Sequence, residues 1–224
     1  MKYKRVKEGI FISRPNRFIA NVTIDGKQEV CHVKNTGRCR ELLVPGGLVF
    51  LQESDNTARK TKYDLIAVIK DGIIINMDSQ APNQVVKEWL TSFFGEITFL
   101  KPEAKYKNSR FDFYIEVNER KIFIEVKGVT LEEDGVALFP DAPTQRGVKH
   151  LRELTECVKD GFEAYVIFVV QMENIKYFMP NRNTHPQFAQ TLLYAKENGV
   201  NVLCLSCATG SDSLCINKSE EIIF

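Results

Sequence analysis

The chain has 224 residues, 44% of them apolar and 26% charged, with a formal net charge of +1. That apolar share excludes general disorder, and with no run of about 18 apolar residues a membrane-spanning helix is excluded too. The charge is unevenly divided: residues 1–80 carry 14 Lys and Arg against 9 Asp and Glu, net +5, whereas residues 81–224 carry 16 against 20, net −4. The split predicts two modules, 1–80 and 81–224, with different tasks.

The N-terminus, MKYKRVKEGIFISR, is basic but has no apolar core or small-residue cleavage site behind it, so no secretory signal is expected. The six cysteines are scattered and read as free thiols in a reducing cytoplasm. Cys204-x-x-Cys207 has the spacing of half a zinc site, but no second pair accompanies it.

Short strands with turn punctuation fill the first module: 9–24 with a break at Pro15, then 28–34, 47–53, 63–70 and 73–77, with a short helix at 37–43. Five strands and one small helix predict a small β-barrel, of which the OB-fold is the first candidate. Its basic residues gather at turns: Arg14 with Arg17, Lys34 with Arg38 and Arg40, and Arg59-Lys60 with Lys62. Phe18 and His32 are aromatic surfaces nearby, and basic grooves with stacking side chains are how OB-folds track nucleic acid. Scattered surface charge on a soluble barrel is the competing reading. Asn35-Thr36-Gly37 is expected to be a turn, with amides that could face a phosphate.

SQAPNQ (79–84) reads as a polar join. VVKEWLTSFFG then places Val85, Val86, Trp89, Leu90, Phe93 and Phe94 on one side of a helix that Gly95 ends. Strands are expected at 97–106, 111–117 and 121–127, followed by the loop GVTLEEDGVALFPDAP and a helix at 144–160 with Gly161 as its stop. In that loop Glu132-Glu133-Asp134 reads as solvated. AYVIFVVQ (164–171) lacks alternation and predicts a central strand covered on both faces. A helix at 185–199 and a last strand, VNVLCLS, complete the order α-β-β-β-α-β-α-β.

FDFYIEVNERKIFIEVKG (111–128) carries charges inside two apolar strands. If Val117 and Arg120 close a two-residue turn, Phe111, Phe113 and Ile115 face Val126, Ile124 and Ile122 on one apolar face. The other face then sets Asp112 opposite Glu125, with Lys127 two residues on. Two carboxylates that close repel each other unless something positive lies between them. A divalent cation with oxygen ligands meets that need, and Mg²⁺ takes one or two carboxylates together with water and phosphate. Lys127 is placed to assist the attacking water or to stabilise phosphate charge. The alternative is an exposed Glu125–Lys127 surface pair.

Asp112 followed one hairpin later by Glu125-Val126-Lys127 resembles the PD-(D/E)xK nuclease motif, and the element order is similar to that superfamily's core. The chain as a whole resembles the sugar fermentation stimulation protein A family. RPNRFIANV (14–22), HVKNTGR (32–38), SDNTARK (54–60), SRFDF (109–113), IEVKGVTL (124–131) and FPDAPTQRGVKHLREL (139–154) carry that resemblance. It implies an α+β two-domain protein, an N-terminal OB-like β-barrel followed by a restriction-endonuclease-like αβββαβ domain. It further implies Asp112 and Glu125 as ligands of Mg²⁺ or Mn²⁺ and Lys127 as the catalytic lysine. Related nucleases often add a Glu from the preceding helix; Glu88 is the match, with an exposed surface Glu as the other reading. The usual proline before the Asp is replaced by Phe111.

On the helix at 144–160, Arg146, Lys149 and His150 share a side, and Gln145 or His150 could supply the polar group that this helix gives to the site in similar nucleases. A solvated basic face is the other reading. Residues expected to contact nucleic acid are therefore Arg14, Arg17, His32, Asn35, Arg38, Arg59, Lys60, Arg146 and His150. The function expected is a metal-dependent phosphodiesterase acting on single- or double-stranded DNA without strong sequence preference. A non-cleaving DNA-binding regulator of sugar metabolism is the alternative, and chemistry on a small phosphorylated metabolite is a third possibility.

Overall fold

The computed structural model describes residues 1–224 except Thr36 and Thr57. Its first unit contains β1 (Val6–Asn16), β2 (Ile19–Ile24), β3 (Lys27–Val33), β4 (Leu48–Glu53), β5 (Tyr63–Lys70) and β6 (Ile73–Asn76). These pair in the order β3-β2-β1-β4-β5-β6, and a parallel pairing of β3 with β5 closes the first five into a barrel. Period-2 alternation drives the closure: Ala20, Val22 and Ile24 of β2 are buried while the residues between them are only half-buried.

Two local expectations for this unit change. The break expected at Pro15 within 9–24 falls after Asn16 instead: β1 runs through Pro15, and the Asn16 side-chain oxygen accepts the N–H groups of Phe18 and Ile19 and reverses the chain there. Residues 37–43 form a single turn in place of a helix: Leu42 and Leu43 both donate to the Cys39 carbonyl, and Cys39 itself has the positive φ of 44° that ends helical winding. Thr36, within the expected Asn35–Gly37 turn, lies outside the described residues.

The second unit follows as α1 (Ala81–Phe94), β7 (Phe99–Tyr106), β8 (Ser109–Val117), β9 (Arg120–Val129), β10 (Leu131–Glu133), β11 (Val136–Phe139), α2 (Gln145–Lys159), β12 (Glu163–Val170), β13 (Tyr177–Pro180), α3 (Pro186–Glu197), β14 (Asn201–Thr209) and β15 (Leu214–Ser219). Its main sheet runs β15-β14-β12-β9-β8-β7, and β10-β11-β13 make a small second one. Tyr165, Ile167 and Val169 of β12 pack on the α1 side while Val166, Phe168 and Val170 pack on the α2 side, which is why this strand shows no alternation. Cys204 and Cys207 of β14 are buried in these two opposite cores, so they face apart and cannot share a metal.

The β8–β9 hairpin has the expected register, Val117↔Arg120, Ile115↔Ile122 and Phe113↔Ile124, but the ladder stops there. Beyond it the expected apolar face is broken. Phe113 and Val126 lie in the core under α1, whereas Phe111 packs with Tyr106, Phe123 and His150 on the α2 side. The cause is Asp112, whose Oδ2 accepts the Val126 N–H at 2.7 Å where a ladder carbonyl would otherwise bond. On its other side β8 also skips a partner, at Glu103, which has a positive φ of 48°.

The two units are joined by buried polar contacts. Gln171, at the end of β12, donates its side-chain amide to Asn76 Oδ1 at 2.9 Å and to the Asp78 carbonyl at 3.1 Å. Asn76 in turn donates to Tyr3 Oη at 3.0 Å, and Lys34 pairs with Asp78 at 3.2 Å. Glu132, expected to be solvated, is held at 2.9 Å by Lys70 of β5 and so ties β10 to the barrel.

Candidate metal centre and nucleic-acid interface

Asp112 lies where β8 and β9 part, and both its oxygens are engaged. Oδ2 accepts from the Val126 amide, and Oδ1 accepts from Asn83 Nδ2 of α1 at 2.7 Å. Asn83 reaches it because Pro82, in the first turn of α1, packs against Gly128 of β9. A Cβ on Gly128 would stand 2.8 Å from Pro82 Cγ and 2.6 Å from Gln171 Oε1, so this approach requires glycine. In the bare sequence Asn83 reads as part of a polar join. Proline at the first helical positions is the signal that starts the helix earlier and brings Asn83 into it.

Glu125 is 4% exposed and turned toward α2. Its Oε1 accepts from Lys127 Nζ at 2.6 Å and from His150 Nδ1 at 2.5 Å. On its other side the His150 ring meets Arg146 Nε at 3.4 Å from Nε2, so the imidazole is held between Arg146 and Glu125. Glu125 Oε2 is buried and has no hydrogen-bond partner among the described residues. A buried carboxylate oxygen left bare is costly unless a water or an ion meets it.

The two carboxyls are driven apart electrostatically. Asp112 is pushed above the usual carboxylate range by its burial and then by the Glu125 charge, against the Val126 amide, Asn83 and Lys127. Burial pushes Glu125 up as well, but His150 and Lys127 outweigh it and hold its carboxyl below that range. All the donors are hard oxygens, as Mg²⁺ or Mn²⁺ prefers. Two carboxylates, one with an unpartnered buried oxygen, fit such an ion. Among the described residues no group of three or more His, Cys, Asp or Glu side chains is poised around a metal.

Glu88 is engaged elsewhere. Its Oε2 pairs with the Met1 ammonium at 2.7 Å and its Oε1 accepts from Gln84, so Asn83 is the α1 residue at the site. The third turn of α1 points this carboxylate along the far end of the sheet, beside Leu214, whose carbonyl holds the same ammonium.

The residues expected at a nucleic-acid surface divide in two. Arg14 is an internal brace, donating to the carbonyls of Arg17, Asn35, Gly37 and Arg38. Asn35 spans the Gly37 amide and the Met77 carbonyl. Arg59 grips Asp64 with both terminal nitrogens, at 2.9 and 2.7 Å, and His32 adds a third bond to the same carboxylate at 2.9 Å. His150 belongs to the buried site: it shares the Arg146 side of α2, one turn on, but its bond to Glu125 draws it under the sheet while Arg146 and Lys149 stay exposed. Arg17, Arg38, Lys60 and Arg146 remain exposed. Arg146 and Lys149 line a depression beside His150 with Arg110 and Gln145. Arg17, Arg38 and Arg40 line a cleft of about 690 Å³ between the barrel and the segment 128–142.

Comparison with known proteins agrees with both halves. Residues 12–77 match the SfsA N-terminal OB domain, and residues 80–213 match the sugar fermentation stimulation protein RE domain. A sugar fermentation stimulation protein homolog of Clostridium beijerinckii is 59% identical over 100% of both chains. One from Desulfitobacterium hafniense is 62% identical over 96% of this chain and 94% of its own. The structure of Pyrococcus furiosus SfsA in complex with Ca²⁺ superposes with a TM-score of 0.90 at 28% identity, covering 100% of this chain and 98% of that one. No helix among the described residues is long and apolar enough to cross a membrane. An N-terminal OB barrel, a mixed α/β second domain and these likenesses over the full length place the chain in the sugar fermentation stimulation protein family.

Proposed function

We propose that the protein is a divalent-metal-dependent phosphodiesterase acting on nucleic acid. One observation carries this: the unpartnered, buried Oε2 of Glu125, next to an Asp112 that its own environment disfavours as an anion. Mg²⁺ or Mn²⁺ held by Asp112 and Glu125 would supply Lewis-acid charge and lower the pKa of a water. The chain's own groups do the positioning. Asn83 and the Val126 amide fix the Asp112 carboxylate, while His150 and Lys127 fix Glu125 through Oε1 and leave Oε2 for the ion. Lys127 spends one of its three donors on Glu125; the others can hold an anionic phosphate oxygen. Ca²⁺ in the relative from Pyrococcus furiosus supports a hard-cation site in this fold.

The test is incubation of the purified protein with labelled single- and double-stranded DNA in Mg²⁺ or Mn²⁺, beside Lys127→Ala and Asp112→Asn. Cleavage by the wild type alone supports the proposal. Intact DNA in every lane, with the DNA still shifted in a gel, overturns it in favour of a non-cleaving DNA-binding regulator. That second reading is favoured by the ion pair between Lys127 and Glu125, which occupies the lysine.

A further inference from the structure

We infer that the cleft between the barrel and the segment 128–142 is a groove for single-stranded nucleic acid, so the substrate is a strand end, gap or flap and not continuous duplex. The inference rests on the nucleic-acid reading above and narrows its substrate class. Its first support is chemical. One edge of the cleft carries Arg17, Arg38 and Arg40, all exposed, whereas its floor is formed by Leu43, Leu131 and Phe139. A duplex shows phosphate and sugar to a protein surface and keeps its base faces stacked inside. An apolar floor has nothing to bury against such a ligand, whereas a single strand offers phosphates to the arginines and base faces to the floor. Phe18, 51% exposed next to Arg17, extends the stacking surface beyond the rim.

The second support is construction. Arg14 spends its guanidinium on four main-chain carbonyls, those of Arg17, Asn35, Gly37 and Arg38. It thereby holds together the two segments that present the rim arginines. Across the cleft, a Cβ on Gly37 would lie 3.0 Å from Asp141 Oδ2, so the 35–40 loop closely approaches the second unit at one end. Gly128 and Gln171 of the second unit also line the cleft.

The experiment is equilibrium binding, read by fluorescence anisotropy in EDTA, of a labelled single-stranded oligonucleotide and of a blunt duplex of the same length at about 50 mM salt. EDTA makes the result independent of cleavage, so a protein that never cuts DNA still answers it. Expected is at least a tenfold preference for the single strand. Arg38→Ala with Arg40→Ala should weaken single-strand binding about tenfold and reduce its salt slope by about 1.4, at ~0.7 for each phosphate no longer neutralised. A control pair, Lys27→Ala with Lys121→Ala, removes the same charge away from the cleft and should leave single-strand binding within about twofold. Ala142→Trp, which fills the cleft without changing charge, should abolish the preference while leaving duplex binding intact. The inference is overturned by wild-type protein that binds both forms equally, by an equal loss in the control pair, or by an unaffected Ala142→Trp.

Discussion

Two carboxylate clusters, one in each unit, show opposite designs. In the barrel, Asp64 is 4% exposed and surrounded by partners: the Arg59 guanidinium on both oxygens, the His32 ring on one, and the Lys34 ammonium 3.7 Å away. Burial pushes its carboxyl up, but Arg59, His32 and Lys34 prevail and hold it below the ordinary range. In the second unit, Asp112 is pushed the other way and Glu125 keeps a bare buried oxygen. The first cluster is complete in itself and serves the fold. The second is left one positive charge short, as expected where a ligand completes it.

The largest effect that would test this contrast is catalytic. With Mn²⁺ and single-stranded DNA, Lys127→Ala or Asp112→Asn should lower the cleavage rate by about 10³-fold or more, while circular dichroism stays native. Equal rates in wild type and variants would leave the second cluster without a purpose.

Next is the barrel carboxylate. Asp64→Asn should cost about 3 kcal/mol in urea unfolding, since it leaves Arg59 without its buried partner. The pH dependence has a defined sign. For a carboxyl lowered in the native state, the stabilisation is present above the unfolded value and is lost as pH falls through the lowered native one. The variant should therefore show a shallower acid limb than the wild type.

Gly128→Ala should cost about 2 kcal/mol, by forcing Pro82 and Gln171 off the strand. It should also loosen Asn83 from Asp112, which Mn²⁺ affinity measured by electron paramagnetic resonance would report as weaker binding.

The smallest effect has the opposite sign. In EDTA at neutral pH, Asp112→Asn should stabilise the protein by about 1 kcal/mol, because a buried charge without a matching cation is replaced by a neutral amide whose oxygen keeps the Val126 bond and whose NH₂ meets Asn83 once that side chain turns its amide over. A carboxyl raised in the native state carries no penalty in acid. Its penalty grows as pH rises past the unfolded value and is complete above the raised native one. The gain should accordingly vanish in acid, as thermal unfolding at two pH values would show. Destabilisation at neutral pH would place Asp112 in the same class as Asp64.

Much of this contrast is readable from the chain. Strand alternation locates the barrel, the hairpin register and the central strand β12, because periodicity follows burial directly. That register brings Asp112 to the point where β8 and β9 part, but it does not show that Asp112 turns to Asn83 and the Val126 amide while Glu125 turns to His150. What the sequence hides is how polar side chains are spent. Arg14 and Arg59 look like Arg17 and Arg38 in a string of letters, yet the first two are consumed by carbonyls and by Asp64, contacts set only by tertiary approach. The basic neighbours of His150 suggest an exposed face, while the pull of Glu125 buries it. The short strands β10, β11 and β13 escape because three or four residues carry no detectable period. The face change at Phe111 escapes because it depends on one side chain replacing a main-chain acceptor.

Gln171 has one more consequence. Its amide sits on the last residues of the barrel's chain while its backbone bonds both Val129 and Asn76, so neither half can melt without stripping hydrogen bonds from the other. Calorimetry should then record one cooperative endotherm for the whole polypeptide where a freely hinged pair of domains would give two.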